Sequence, residues 1–207
     1  MTKIIGVRYI LLSAPYANLD SNLEVANHLK SGYRTCGMVE ITLDDGTTGL
    51  GEGYLAVFAP RIFEELITLL SPTLIGRDIN DHAQINHDLQ LTTGYWSLQG
   101  AAQHALSAID IALWDCRAKL ANLPLYRLLG YEGSASLKLY ASGGDSLQPE
   151  AMEKEFEQIQ RLGCDVFKIR ARKEDVNKAR WCLKQGSQSN IGVAIDMTQN
   201  LAMPSQS

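Results

Sequence analysis

The stretch VFKIRARKEDVNKARWCLKQGSQSNIGVAIDMT, residues 166–198, decides the fold. It reads as strand, helix, strand. VFKIRA alternates by twos, the middle shows apolar residues at Val176, Ala179 and Leu183, and VAIDMT alternates again. A third strand, LKLYAS, precedes it at 137–142. Between them an amphipathic helix carries Met152, Phe156 and Ile159 behind Pro149, a residue suited to a first helical turn. Gly163 and Gly186 stand where glycines close helices. The strand middles Leu139, Phe167 and Ile195 are each 28 residues apart. Successive βα units of one length imply parallel strands with right-handed crossovers, the pattern of a (β/α) barrel.

Alternation also sorts the side chains. Lys168 and Arg170 share one face of their strand and Phe167 and Ile169 the other; Asp196 opposes Ile195 in the same way. The apolar faces are expected against helices, so Lys168, Arg170 and Asp196 point inward near the strand C-termini. In a βα barrel that end carries the active site. Two readings stay open from the residues alone. One is a structural ion pair of Asp196 with Lys168 or Arg170. The other is a metal and anion site, with Asp196 as a hard oxygen ligand.

Upstream the pattern differs. Strands are expected at about 3–13 and 34–44, with Asp45-Gly46 as a hairpin turn and a third strand through TTGLGEGY, forming an antiparallel meander. Helices follow: Arg61 to Leu70, stopped by Ser71-Pro72; Asp81–Gln90; and a long one at about 98–121. In the last, Ala105, Ile109, Ala112, Cys116 and Leu120 form one apolar face. A short helical turn closes on Gly130. The fold class is therefore an α+β capping domain, residues 1–130, followed by the first three βα units of a TIM-like (β/α) barrel, residues 131–207. About 77 residues for a barrel that needs about 250 implies that only three of eight units are present.

The 207 residues are 45% hydrophobic and 20% charged, which excludes a disordered tail or a coiled-coil rod. A net charge of −4 leaves no basic footprint for nucleic acid. Four scattered cysteines form no C-x-x-C pair and point to a reducing, cytoplasmic setting. Arg8 interrupts the apolar N-terminal run, which favours a strand over a signal peptide. No stretch is long enough to cross a membrane. A small-molecule partner is the default. His28, His82, His87 and His104 all precede the barrel and read as surface or packing residues.

The segment ALSAIDIALWDCRAKLANLPLYRLLG, residues 105–130, resembles the signature helix of the mandelate racemase/muconate lactonizing enzymes of the enolase superfamily. DDGTTGLGEGY is similar to that family's third strand, VFKIRAR to its K-x-K motif and AIDMTQN to its D-x-N-Q motif. The resemblance implies Mg²⁺ as cofactor, a small carboxylate as substrate, a homo-oligomer, and abstraction of the proton α to the carboxylate. It implies Asp196 as the first of three metal ligands and Lys168 as support for the substrate carboxylate or the base. Arg170 falls where a second Lys is usual; always protonated, it suits an electrostatic clamp better than a base. Thr198 replaces the usual Asn beside the substrate. Tyr16 and Tyr54, with Phe58, sit in the two loops that would contact substrate. The implied reaction is a mandelate-racemase-like acid-sugar dehydration or racemisation, with this chain inactive alone. The alternatives are a catalytically incomplete fragment acting as a binding or assembly module, and a cycloisomerase or dipeptide epimerase.

Overall fold

The computed structural model describes residues 1–15, 32–134, 136–144, 149–171 and 175–197. Two compact units divide the chain, Met1–Glu132 and Gly133–Ser207.

The first unit begins with a three-stranded antiparallel meander: β1 Ile4–Pro15, β2 Tyr33–Leu43 and β3 Thr48–Gly53. Tyr9 pairs with Val39, and Val39 with Gly51. Val39, Ile41 and Leu43 are buried on one face of β2. On the opposite face Arg8 Nε meets Glu40 Oε1 at 2.6 Å. The β2–β3 turn forms where Asp45-Gly46 predicts it, in a longer version than a two-residue hairpin. Leu43 N–H donates to the Thr47 carbonyl, Gly46 N–H donates to the Leu43 carbonyl, and Gly46 takes φ +86°.

Four helices follow: α1 Pro60–Leu74, α2 His82–Gly94, α3 Ala101–Leu120 and the short α4 Leu125–Leu128. Ser71-Pro72 does not stop α1, which continues to Leu74 with Pro72 inside it. Pro72 has no N–H for the Thr68 carbonyl, a local cost that sequence punctuation registers. Leu70 and Leu74, one turn apart and both buried, hold the last turn against the core. The Ile75 N–H closes it on the Ser71 carbonyl. Tertiary packing outweighs the breaker.

Helix α3 buries the expected Ala105, Ile109, Ala112 and Cys116, while Leu120 in its last turn is partly exposed. It sits directly on β3. A Cβ on Gly51 would lie 1.9 Å from the Ala108 carbonyl oxygen, and one on Gly49 2.2 Å from that of Ala112. The small helix face and the glycine strand are thus two halves of one contact. Asp115 and Lys119 complete it, since β3 is an edge strand with backbone groups to satisfy. Leu50 N–H donates to Asp115 Oδ2 at 2.9 Å, Lys119 Nζ donates to the Thr48 carbonyl at 2.8 Å, and the two side chains pair at 2.7 Å.

In the second unit β4 Tyr140–Gly143, β5 Val166–Arg170 and β6 Gly192–Asp196 form a parallel sheet in that order. Helices α5 Pro149–Arg161 and α6 Val176–Ser189 are the crossovers. Phe167 and Ile169 are buried with Met152, Phe156, Ile159 and Cys182. Strand β4 starts at Tyr140, not at 137, and Leu137 and Leu139 are exposed. The apolar face expected through Val176 and Leu183 is corrected: Leu183 is 47% exposed, and the buried stripe runs through Cys182 and Gly186. Gly186 does not close the helix either. It lies within α6, where a Cβ would meet the Ile191 carbonyl oxygen at 2.6 Å, and the left-handed residue at the helix end is Asn190.

Candidate functional site

Strand β5 carries Lys168 and Arg170 on one face, and β6 carries Ala194 and Asp196 beside them. The register pairs Lys168 with Ala194 and Arg170 with Asp196. Lys168 reaches one step along the sheet, placing Nζ 3.0 Å from Asp196 Oδ2. The two side chains are 35% and 33% exposed, so the pair is partly solvated and modest as a stabiliser. Tyr140, on the same face of β4, has its ring centroid 5.9 Å from Lys168 Nζ, at the outer reach of a cation–π contact.

Two concavities meet at Lys168. At the C-terminal ends of the strands a polar hollow of about 60 Å³ is lined by Ser142, Gly143, Lys168, Ile169, Arg170 and Asp196. It has the room and the hydrogen-bonding groups for a carboxylate or a few waters. On the same face an open, mainly apolar groove of about 460 Å³ runs past Tyr140, Val166 and Ala194. It is an open face of the sheet and not an enclosed cavity. A cation at the junction of a polar end and an apolar groove is an arrangement that can orient an organic acid.

The hydrogen bond and charge of Asp196 raise the Lys168 pKa above its usual 10.5; the nearby Tyr140 adds to this, while burial and Arg170 oppose it. Lys168 is therefore a cation at neutral pH and a poor proton acceptor as it stands. A lysine whose folded pKa is raised contributes stability in full below the unfolded value. That contribution is lost as pH rises through the folded value, here in the alkaline range above 10.5. Asp196→Asn is expected to shift the Lys168 midpoint downward in a ¹⁵N-detected side-chain titration. An unmoved midpoint would remove Asp196 as the cause.

Asp196 offers one hard oxygen donor, and Mg²⁺ requires near-octahedral oxygen coordination. Among the described residues no group of three or more His, Cys, Asp or Glu could hold a metal. Asp196 fits as a single ligand, and the described residues do not complete a site around it.

The other expected residues fall elsewhere. Tyr16 and Thr198 lie outside the described residues. Tyr54 lies in the first unit, exposed in a 3₁₀ turn, Tyr54–Val57, with its ring 5.4 Å from that of Phe58. His82 is engaged within the first unit: Nε2 is 2.7 Å from Asp110 Oδ1, and its ring packs edge-on to Trp114. Ser142 and Tyr140 are site residues that sequence reasoning missed. The period-two alternation of LKLYAS, applied as it is to the other two strands, places both on the face of Lys168.

An antiparallel meander with its helices, followed by parallel βα units, is the architecture of the N-terminal half of an enolase-superfamily protein. Residues 23–130 match the mandelate racemase / muconate lactonizing enzyme family, N-terminal domain, and the chain belongs to that family. A D-galactonate dehydratase family member, RspA, from Cellvibrio japonicus is 38% identical over 112 residues, 52% of this chain and 27% of that protein. The L-talarate/galactarate dehydratase of Salmonella typhimurium superposes with a TM-score of 0.82 at 25% identity, covering 96% of this chain and 52% of that one. A mandelate racemase/muconate lactonizing protein of Paracoccus denitrificans, crystallised with magnesium, gives 0.73 at 26% identity, covering 95% and 52%. The chain thus spans about half the length of these solved relatives, and the match to the curated relative covers about a quarter of its length. Among the described residues no helix is long and apolar enough to cross a membrane.

Proposed function

We propose that this chain is the capping and first-barrel-strand part of an acid-sugar dehydratase acting on the proton α to a carboxylate. The observation that carries the reading is the Lys168–Asp196 pair, 3.0 Å apart in a polar hollow at the strand ends. The dehydratases among its relatives, and the magnesium in the Paracoccus denitrificans mandelate racemase/muconate lactonizing protein, support it. Lys168 and Arg170 hold the substrate carboxylate, and Ser142 orients it by a hydrogen bond. Arg170, always protonated, clamps and does not take the proton. Asp196 would serve as one oxygen ligand to Mg²⁺. Bound Mg²⁺ supplies Lewis-acid stabilisation where negative charge develops on the carboxylate oxygens.

With one carboxylate ligand among its described residues, the chain alone is expected to give no saturable heat with Mg²⁺. It is also expected to produce no exchange of the galactarate α-proton in D₂O. A chimera carrying residues 1–197 in place of the matching stretch of the Salmonella typhimurium dehydratase is expected to dehydrate an acid sugar. Asp196→Asn in that chimera should cost more than the roughly 10–100-fold that outer-shell partners of a metal are worth. Full activity of the Asp196→Asn chimera would sink the assignment.

A further inference from the structure

Gly144, the first residue beyond β4, is held at both of its backbone polar groups. Its N–H donates to Glu155 Oε1 on α5 at 3.0 Å, and its carbonyl accepts from Lys178 Nζ on α6 at 2.9 Å. Gly144 is buried at φ +72°, and a Cβ there would lie 2.9 Å from Ile169 Cβ. Lys178 is itself 7% exposed at its side chain, with Asp175 Oδ2 3.7 Å from Nζ. Burying an ammonium is costly unless it is compensated. Here one hydrogen bond of that ammonium goes to a peptide carbonyl at the end of a strand. Glu155 also presses close to Gly143, where a Cβ would meet its Oε1 at 2.0 Å. Ser142 and Gly143, the two residues before Gly144, form a wall of the polar hollow, and Ser142 pairs in register with Lys168. Glu155 and Lys178 do not line that hollow, so any effect they have on it passes through the backbone.

We propose that Glu155 and Lys178 are positioning residues, a two-point clamp on the backbone of Gly144, one on the peptide before it and one on the carbonyl after it, that fixes Ser142 and Gly143 beside Lys168 and so sets the shape of the carboxylate-binding hollow. The inference rests on the reading of that hollow given above. Each contact is a charge-assisted hydrogen bond in a shielded place, where losing one partner leaves the other buried and unmade.

The test uses the ¹⁵N-labelled 207-residue chain with galactarate as the probe. Lys178→Met keeps the stem and removes the donor, Glu155→Ala removes the acceptor, and Glu155→Gln keeps an acceptor oxygen. In Lys178→Met and Glu155→Ala, Gly144 amide exchange is expected to quicken about tenfold, the Ser142 and Gly143 amide resonances to shift, and the galactarate dissociation constant to rise about tenfold. Glu155→Gln should stay near wild type, as should Lys184→Met on the exposed side of α6. A merely structural role would lower the melting temperature without moving the Ser142 resonance. Wild-type Gly144 exchange and Ser142 resonances in Lys178→Met and Glu155→Ala would overturn the clamp. Should Lys178→Met fail to fold, the contrast between Glu155→Ala and Glu155→Gln decides. Should the wild-type chain bind no galactarate, the reading of the hollow falls, and exchange and the Ser142 resonance decide the clamp.

Discussion

Gly51→Val is expected to unfold the first unit, at a cost of about 4 kcal/mol or more, beyond the range of ordinary core substitutions. A Cβ at this position lies 1.9 Å from the Ala108 carbonyl oxygen and 2.8 Å from the Ala112 amide nitrogen. Both are backbone atoms of a rigid helix, so no side-chain rotation relieves the clash. Relief requires α3 to lift from β3. That strips the Asp115 and Lys119 contacts from the edge strand and opens the packing around Ala105, Ile109 and Cys116. The control is Gly46→Ala. Its φ of +86° makes it strained, but nothing lies within 4 Å of the new Cβ, so about 1 kcal/mol is expected. Urea unfolding followed by circular dichroism separates the two. A Gly51→Val midpoint at or above that of Gly46→Ala would disprove the close-packing account.

The second large effect belongs to the other unit. Phe167→Ala should destabilise it by about 3–5 kcal/mol, the usual cost of emptying a buried aromatic site. Phe167 is fully buried, its ring edge-on to Phe156 with centroids 5.7 Å apart, and Phe156 in turn meets Trp181 at 6.2 Å. It ties the middle strand to α5 through Phe156, which in turn meets Trp181 of α6. A three-stranded unit has few other contacts to absorb the loss. Val166→Ala, one residue away but on the groove side, removes a partly exposed side chain and should cost less than about 1.5 kcal/mol. The fluorescence of Trp181 reports the transition. Equal costs at positions 166 and 167 would mean that the sheet faces are assigned the wrong way round.

Much of the fold and part of the site were legible in the residues. The period-two alternation of VFKIRA and VAIDMT places Lys168, Arg170 and Asp196 on one face, as the register shows. The 3.0 Å approach of Lys168 to Asp196 was not legible in the same sense, because alternation names a face and leaves the partner of each charge open. The long α3 helix announced its buried face through apolar residues three and four apart. The misreadings share one cause. Pro72, Gly186 and Leu183 were judged by local rules, and each is governed by what packs on it from elsewhere. Leu74 anchors a turn beyond a proline, and Ile191 and Val193 require a glycine within α6.

The sequence by itself determined the element types, their order, the change from antiparallel meander to parallel βα units, and the sign of the charges at the strand ends. These follow from backbone periodicity and turn chemistry, which act over a few residues. Only the tertiary structure decided why the family's signature residues are what they are. Gly49, Gly51, Ala108, Ala112, Asp115 and Lys119 come from a strand and a helix some 60 residues apart in the chain, and they form one close contact. It likewise decided that Glu155 and Lys178, two ordinary charged residues on amphipathic helices, converge on a single glycine residue beside the site. Such pairings are set by distances of 2–3 Å between segments distant in the chain, and no local pattern encodes them.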